Sequence, residues 1–573
     1  MGWTPTGPIS FFHAMNQSYR VDRRVDVRVP MRDGVELSAD LFLPRAAGRC
    51  PTVLIRTPYS NNNVQLIEKG TRLAAAGYAC VIQDVRGRWD SAGDYYPFTN
   101  EAEDGFDTQE WVGSQDFSDG TVGTAGASYL GTTQWRSAPL GSSYLKCMAP
   151  SVICTDYHSG LLYPGGALQL NVAMTWGMRT HARTGQDIEF HQWSEAFRHL
   201  PLHDVDSSAG RDLPFWQDWI AHPAYDDYWE AMDDTRLFEQ ITVPAFNMGG
   251  WYDLYASQTF SNFNGLRLGG GSNEARQSKL VVGPWPHTLS ASTQTGDVDF
   301  GEVSLVDLEA EETRWFERWL RGVDNGIEHE APLRLFLMGA NRWRDADEWP
   351  LADTDWQTWH LHSGGQANSV LGDGVLSPEA PGDENPDEFI YDPSHPVQTA
   401  GGNNCCSPHI VPWGPHDQRS VEMRGDVLVY TSPPMAQDTE VTGPIEVVLF
   451  AATDGPDTDF TAKLVDVWPS GYAMNLCDGI RRGRFLESRR ASKLLQAGTV
   501  YEWRIEVGVT GNVFQKGHRI RLEISSSNFP RFDRNPNTGA EFGKSAEMRR
   551  AAQTVHHSRA YPSHVRLPVI PAT

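Results

Sequence analysis

The chain opens on alternating apolar and polar positions. Val25–Pro30 alternates, Met31-Arg-Asp-Gly34 carries a hairpin-turn signal, and Val35–Leu43 reads as a second strand, so two antiparallel strands are expected first. Unbroken apolar runs then take over. Pro51–Thr57 is a short, largely apolar, β-branched run and Tyr78–Asp84 is another of the same type, the pattern of strands buried on both faces. Between them Leu66–Ala76 has helical periodicity and stops at Gly77. Glu101–Val112 is amphipathic and helical. Thr121–Thr124 is a short β-type segment that runs into a helix-compatible stretch, Tyr129–Pro139. This alternation of strand and helix predicts an α/β domain with a parallel sheet covered on both faces.

From about Ala149 to about Glu239 the alternation breaks down. The segment is rich in Trp, Tyr and His, with helical pieces expected at Ala167–Thr180, Asp187–His199, Asp212–Ala221 and Tyr225–Asp233. It reads as a helical insertion. Strands return at Val243–Met248 and Ser278–Val282, followed by a helix at Val306–Leu320 and a strand at Leu333–Met338 that is expected to close the sheet. Beyond about Leu351 the texture is all β. Strands are expected at Trp356–Leu361, Val427–Thr431, Ile445–Ala451, Thr461–Trp468, Thr499–Val507 and Arg519–Ser525, separated by Gly, Pro, Asn and Asp clusters. That pattern suits a sandwich or jelly roll. The expected division is 1–148 plus 239–351 for the α/β domain, 149–238 for the insertion and 352–573 for the β domain.

Composition narrows the function. A chain of 573 residues has room for two to four domains, and 40% apolar with 21% charged residues marks a folded protein. A formal net charge of −25 repels phosphate backbones and argues against a nucleic-acid partner. No apolar run approaches the roughly 20 residues that cross a membrane. Met1-Gly-Trp-Thr-Pro5 lacks the pattern of a secretory signal, and Pro5 disfavours N-terminal lipidation. The seven cysteines, Cys50, Cys80, Cys147, Cys154, Cys405, Cys406 and Cys477, are odd in number and scattered. They imply neither a disulfide framework nor a zinc site, and small buried residues in a reducing cytoplasm are expected.

The candidate chemistry centres on Gly126-Ala-Ser128-Tyr-Leu-Gly131, between a β-type segment and a helix-type one. A serine on such a tight turn is a nucleophile elbow, although the second glycine falls one residue later than in G-x-S-x-G. Ser128 needs a base and a carboxylate to orient that base. In α/β-hydrolases they follow in the order serine, acid, histidine, at strand ends. Asp253 follows the Val243–Met248 run and His287 follows Leu280–Val282, which fits that order. Taken singly, Asp253 could be a turn aspartate and His287 one of 18 structural or surface histidines. The backbone N–H of Tyr129 supplies one oxyanion donor. With no His-Gly-Gly-Gly run, a side chain is expected to supply the second. Tyr59, set by Pro58, is suitably placed, the alternative being an aromatic packed under a loop.

Six ordered runs then carry a resemblance. Arg56-Thr-Pro-Tyr59, Gln83-Asp84-Val-Arg-Gly87, Ser118-Asp-Gly120, Gly126-Ala-Ser-Tyr-Leu-Gly131, Gly250-Trp-Tyr-Asp253 and Gly283-Pro-Trp-Pro-His287 resemble the cocaine-esterase-like hydrolases. That family is related to X-Pro dipeptidyl-peptidases and α-amino acid ester hydrolases. Met338-Gly, Trp343-Arg and Trp349-Pro extend the likeness. The resemblance implies an α/β-hydrolase domain with an inserted helical cap and a C-terminal jelly-roll domain. It implies Ser128 as nucleophile, Asp253 as orienting acid, His287 as base, and Tyr59 and Tyr129 as oxyanion hole, with no cofactor and no metal.

The expected substrate is a small-molecule ester, or less favourably an amide, with an apolar or aromatic acyl group. By resemblance, Trp176, after Tyr163-Pro-Gly-Gly-Ala-Leu168, and Tyr255 are candidate substrate-binding aromatics; core packing is the alternative for both. Leu254, Tyr255 and Ala256 stand where amino-ester hydrolases carry amine-binding carboxylates, so a free amine is disfavoured unless Asp156, Asp187 or Glu189 substitutes. An acylase or aminopeptidase remains open, as does a non-catalytic binding protein whose jelly roll engages carbohydrate or a partner chain. A homodimer is expected on resemblance alone. Three further stretches read as structural. His556-His557 suits a surface or turn better than a metal site. Asp454-Gly-Pro-Asp457-Thr-Asp459 suits a turn better than a calcium loop. Asp84-Val-Arg86-Gly-Arg88 suits an ion pair and turn beside the site.

Overall fold

The computed structural model describes residues 19–189 and 191–571. The readings made on Met1–Pro5 lie outside the described residues. The opening strands are β1 (Val21–Pro30) and β2 (Glu36–Pro44), antiparallel with Pro30 opposite Glu36. Asp33-Gly34 turns the chain between them, with the Met31 N–H donating to the Val35 carbonyl at 2.8 Å. The buried runs become β3 (Cys50–Thr57) and β4 (Ala79–Asp84), joined by helix α1 (Val64–Ala75). Helix α2 (Glu101–Ser114), β5 (Ser118–Ala127) and helix α3 (Tyr129–Ser137) follow.

Strand β6 (Leu145–Ser151) was not visible in the sequence. It has no β-branched residue and contains Pro150, and burial between two parallel neighbours makes it a strand. The later part contributes β7 (Phe246–Gly250), β8 (Lys279–Gly283), a two-residue hairpin β9 (Gln294–Thr295) and β10 (Val298–Asp299), then β11 (Leu333–Leu337) and β12 (Arg342–Ala346). The large sheet runs β1-β2-β4-β3-β5-β6-β7-β8-β11-β12. It is parallel from β4 to β11. Leu333–Leu337 does not close it: the antiparallel β12 lies outside, with its polar residues half in solvent.

The insertion is less helical than its pattern predicts. Helix α4 (Leu170–Thr180) forms nearly as expected, but Asp187–His199 yields only α5 (Trp193–Ala196), and Tyr225–Asp233 only α8 (Asp227–Glu230). Between these lie α6 (Val205–Ser208) and α7 (Pro214–Ala221). Burial of Trp193, Trp216, Trp219 and Trp229 in one cluster shapes this segment, and Pro201, Pro214 and Pro223 interrupt it. Two longer helices flank the returning strands: α9 (Ala256–Gly269), which the sequence reading missed, and α10 (Leu308–Arg321).

The β domain is one continuous sheet folded around an apolar core. Its long strands Thr439–Thr453 and Tyr501–Phe514 pair antiparallel with a bulge at Ile445/Glu446, which lets the strand bend. Val375–Ser377, Asp387–Tyr391, Ala473–Arg482, Ala551–His556 and His564–Ile570 complete it beyond the expected strands. The aspartate-rich turn is occupied internally. Asp457 accepts from Arg484 at 2.7 Å, and Asp459 from Arg482 at 2.7 Å. Arg482 also donates to Asp533 at 2.9 Å, and Asp533 accepts the Leu168 N–H at 2.8 Å, so this buried network ties the β domain to the insertion. Among the described residues no group of three or more His, Cys, Asp or Glu is arranged to hold a metal ion.

His557 corrects the surface reading of the His556-His557 pair. It is fully buried, with Nε2 2.9 Å from Asp387 Oδ2 and Nδ1 3.2 Å from Glu384 Oε2. Burial alone would discharge the ring. The hydrogen bond and charge of Asp387, helped by Glu384, outweigh it and raise the His557 pKa. Its stabilisation is therefore complete below the unfolded histidine value of about 6.5 and fades as pH rises through the folded one. The two carboxylates, whose pKa values are lowered, act oppositely: their share is present above about 4 and fades on acidification. His557→Gln is expected to cost about 3 kcal/mol in urea denaturation at pH 5.5, and less at pH 8.5.

Candidate active site

The sheet register gathers the predicted residues at one edge. Ala127 of β5 lies opposite Ser151 of β6, Ser151 opposite Met248 of β7, and Gly250 of β7 opposite Gly283 of β8. Ser128, Asp253 and His287 each follow within four residues of these positions. Tyr59 follows β3 on the same side. This is the carboxyl edge of a parallel sheet, where loops converge on ligands.

The elbow is strained as its small residues imply. Ser128 has φ 59° and ψ −129°, a region that a side chain rarely occupies. Gly126 has φ 133°, and a Cβ there would lie 2.4 Å from the Leu130 Cβ. Gly131, the displaced glycine, faces the segment after β6: a Cβ would meet Ile153 Cγ2 at 2.8 Å. Its place in the motif is set by that contact. Gln134 braces the turn. Its amide nitrogen donates to the Gly126 carbonyl at 3.0 Å, and its oxygen accepts the Ala149 N–H at 3.1 Å. The Tyr129 N–H stands at the first helical position, which has no intrahelical acceptor.

The Tyr129 phenol has a separate task. It donates to Glu101 at 2.9 Å and accepts the Phe98 N–H at 2.9 Å. Glu101 pairs with Arg56 at 2.8 Å, and Arg56 also donates to Gln83 at 2.8 Å. This buried chain links two of the other sequence runs, those of Arg56 and Gln83, to the elbow through Glu101.

His287 Nδ1 lies 2.7 Å from Asp253 Oδ1, and Asp253 is completely buried. That bond assigns Nδ1 to the carboxylate and leaves Nε2 for proton exchange. The two motifs that carry these residues interlock. The Tyr252 N–H donates to the Trp285 carbonyl at 3.1 Å, and a Cβ on Gly250 would lie 2.0 Å from that same oxygen. Asn403, from the β domain, donates to the Trp251 and Asp253 carbonyls at 2.8 and 2.9 Å. The sequence reading missed this brace, because nothing local distinguishes an asparagine that acts 150 residues from its partner.

Tyr59 receives the Trp176 indole N–H at 2.9 Å. Burial pushes its phenol pKa up, with the hydrogen bonds to Trp176 and Ser128 acting the other way, so the group is a neutral donor at ordinary pH. Its loop is pinned at the Pro58 carbonyl, which accepts from Arg88 at 2.9 Å and from Trp89 at 3.0 Å. The ion pair expected near Arg86 and Arg88 belongs to Arg86 alone, which meets Asp104 at 2.6 Å and Asp33 at 2.7 Å. Arg88 is fully buried and spends its donors on the Pro58 and Thr180 carbonyls.

Ser128 opens onto a recess, part of it exposed to solvent, lined by Phe98, Tyr129, Leu161, Trp176, Trp219 and Tyr255 among others. Both predicted pocket aromatics line it, and Tyr255 stands 5.8 Å from the His287 ring. Trp176 already stacks on Phe98 at 5.7 Å and on Tyr129 at 5.9 Å. Those gaps are below the roughly 7 Å that two van der Waals contacts require, so a guest ring sits beside the stack and not within it. Cys405 and Cys406 also line the recess, and their sulfurs are bonded to each other. The sequence, read as implying no disulfide framework, did not show this bond. The remaining five cysteines are free and buried.

Residues 33–289 match the model of the X-Pro dipeptidyl-peptidase (S15) family, and residues 325–566 match the X-Pro dipeptidyl-peptidase C-terminal non-catalytic domain. A cocaine esterase of Rhodococcus sp. (strain MB1 Bresler) is 37% identical over 576 residues, covering 95% of this chain and 98% of that one. The chain belongs to the cocaine-esterase-like hydrolases. Its α/β-hydrolase domain and all-β C-terminal domain are those of the family. Among solved structures, an aminopeptidase from a marine sediment Thaumarchaeota archaeon superposes with a TM-score of 0.84 at 25% identity, covering 99% of each chain. An α-amino acid ester hydrolase superposes at 0.81 with 26% identity, covering 99% of this chain and 100% of that one. Among the described residues no helix is long and apolar enough to cross a membrane.

Proposed function

We propose that this hydrolase cleaves carboxylic esters with an apolar or aromatic acyl group through a Ser128–His287–Asp253 triad. Ser128 attacks the ester carbonyl while His287 Nε2 takes its proton. Asp253, bonded to Nδ1, holds the ring in the required tautomer and offsets the charge that forms. The Tyr59 hydroxyl and the Tyr129 N–H receive the oxyanion. His287 then protonates the leaving alcohol, and water, activated by the same base, releases the acyl group from Ser128.

The observation that carries the substrate class is the aromatic recess beside Ser128 together with the state of the nearby carboxylates. Asp156 accepts from the His158 and Ser159 N–H groups and pairs with Arg489 at 2.9 Å. Glu189 lies 3.4 Å from Arg179, and Asp187 accepts the Glu189 N–H at 2.9 Å. Asp156 and Glu189 thus already have cationic partners, which argues against either as the holder of a substrate ammonium group. The name of the Rhodococcus relative supports an ester as substrate. The likeness to an aminopeptidase supports the competing reading, in which a free amine is bound.

A panel of p-nitrophenyl benzoate, p-nitrophenyl acetate and an X-Pro p-nitroanilide separates the two. The benzoate is expected to give the highest kcat/KM. A higher value for the anilide, lost when its amine is acylated, would overturn the ester assignment. Five free, buried cysteines support a cytoplasmic location, and the Cys405–Cys406 bond argues the other way.

A further inference from the structure

We propose that Trp176 is a positioning residue of the oxyanion hole, acting through Tyr59: its indole N–H fixes which way the phenol proton points. The inference rests on the reading of Tyr59 as an oxyanion donor. It assigns Trp176 a role that its position in the pocket wall does not require.

The argument starts from hydrogen-bond inventory. An indole N–H only donates, and a phenol has one proton and acceptor lone pairs. In the 2.9 Å bond between Trp176 Nε1 and the Tyr59 oxygen, Tyr59 is therefore the acceptor. A phenol O–H lies close to the ring plane and has two such orientations. The incoming indole N–H occupies one side of the oxygen and sends the proton to the other. Ser128 lines the same recess as Trp176 and is the other polar group that acts on this phenol. The proton is thus committed toward the nucleophile, where the oxyanion develops. A bond accepted at the oxygen also polarises the O–H and makes it a better donor.

The surroundings hold both partners in place. Trp176 is stacked on Phe98 and Tyr129 with interplanar angles of 10° and 19°. Its helix ends at Thr180, whose carbonyl accepts from Arg88 at 2.7 Å, while the same guanidinium donates to the Pro58 carbonyl at 2.9 Å. One buried cation therefore sets the spacing between the helix that carries Trp176 and the loop that carries Tyr59. A residue serving only as an apolar wall would need neither the directed N–H nor this clamp.

The test is a double-mutant cycle on an aryl ester with wild type, Trp176→Phe, Tyr59→Phe and the double variant. Trp176→Phe is expected to lower kcat about tenfold with KM changed by less than about twofold. In the Tyr59→Phe background the same substitution is expected to cost less than about twofold, because its effect travels through the missing hydroxyl. Losses that multiply, or a raised KM with kcat intact, would overturn the inference and leave Tyr59 as an oxyanion donor. An undiminished kcat in Tyr59→Phe would overturn both. Trp176→benzothienylalanine keeps the bicyclic shape and removes only the N–H. It must reproduce the kcat loss, and a normal kcat there refutes the proposal even if Trp176→Phe fails to fold.

Discussion

Ser128→Ala is expected to lower kcat/KM for an aryl ester by at least about 10⁴-fold, with the melting temperature unchanged or raised. The loss follows from removing the attacking oxygen. What remains is binding and the oxyanion donors, which alone give a small residual rate. The stability half follows from backbone geometry. Ser128 sits at φ 59° at the start of α3, and such a conformation costs about 1–3 kcal/mol in a residue with a Cβ. Alanine keeps that Cβ and the strain. Ser128→Gly removes both, so it is expected to melt above wild type while being just as inactive. A steady-state assay beside a thermal melt reads both halves. An active Ser128→Ala, or a Ser128→Gly that melts well below wild type, would contradict the account.

Asp253→Asn is expected to lower kcat by about 10⁴-fold while the fold persists. The loop around Asp253 is held by its backbone. The Asp253 N–H donates to the Gly250 carbonyl at 3.1 Å, and Asn403 holds the Trp251 and Asp253 carbonyls, so an isosteric amide leaves the turn in place. The electrostatics do change. Asp253 is completely buried, and its Oδ1 is the partner of His287 Nδ1 at 2.7 Å. An amide cannot offset the charge that His287 gains, and it can donate to Nδ1, which favours the tautomer with the proton on Nε2. That tautomer cannot accept from Ser128. Single-turnover kinetics with a chromogenic ester reads the acylation step directly. A loss below about tenfold would assign the orienting role to another residue.

The parts of the fold that were legible share a physical cause. Strands β3, β4, β7 and β8 are buried along their whole length, so their sequences are mostly apolar and lack the polar alternation of a half-exposed strand. Ser128, Asp253 and His287 were readable because each follows such a run or a turn dense in glycine. The insertion was readable as an interruption but not in detail. Its helices α5, α6 and α8 are one turn long, and packing of Trp193, Trp216 and Trp229 sets them where helical periodicity cannot.

What lay beyond reach is the long-range bracing of the site. Gln134, Asn403 and Arg88 act on backbone carbonyls or amides of distant segments, and such bonds leave no local pattern. The Arg56–Glu101–Tyr129 chain shows the intermediate case. Arg56 and Tyr129 fall in runs that carry the family resemblance and Glu101 does not, and only the structure explains the set: a buried arginine needs a carboxylate, and that carboxylate holds the phenol of the elbow.

The central claim, that Ser128 is the nucleophile served by His287, is tested most directly by labelling with an active-site-directed fluorophosphonate. Intact-protein mass spectrometry of the wild type is expected to show one adduct, mapping by peptide digestion to Ser128. Ser128→Ala is expected to show none, and His287→Asn a rate of labelling lowered by several orders of magnitude. Equal labelling of wild type and Ser128→Ala, or an adduct on any other serine, would contradict it.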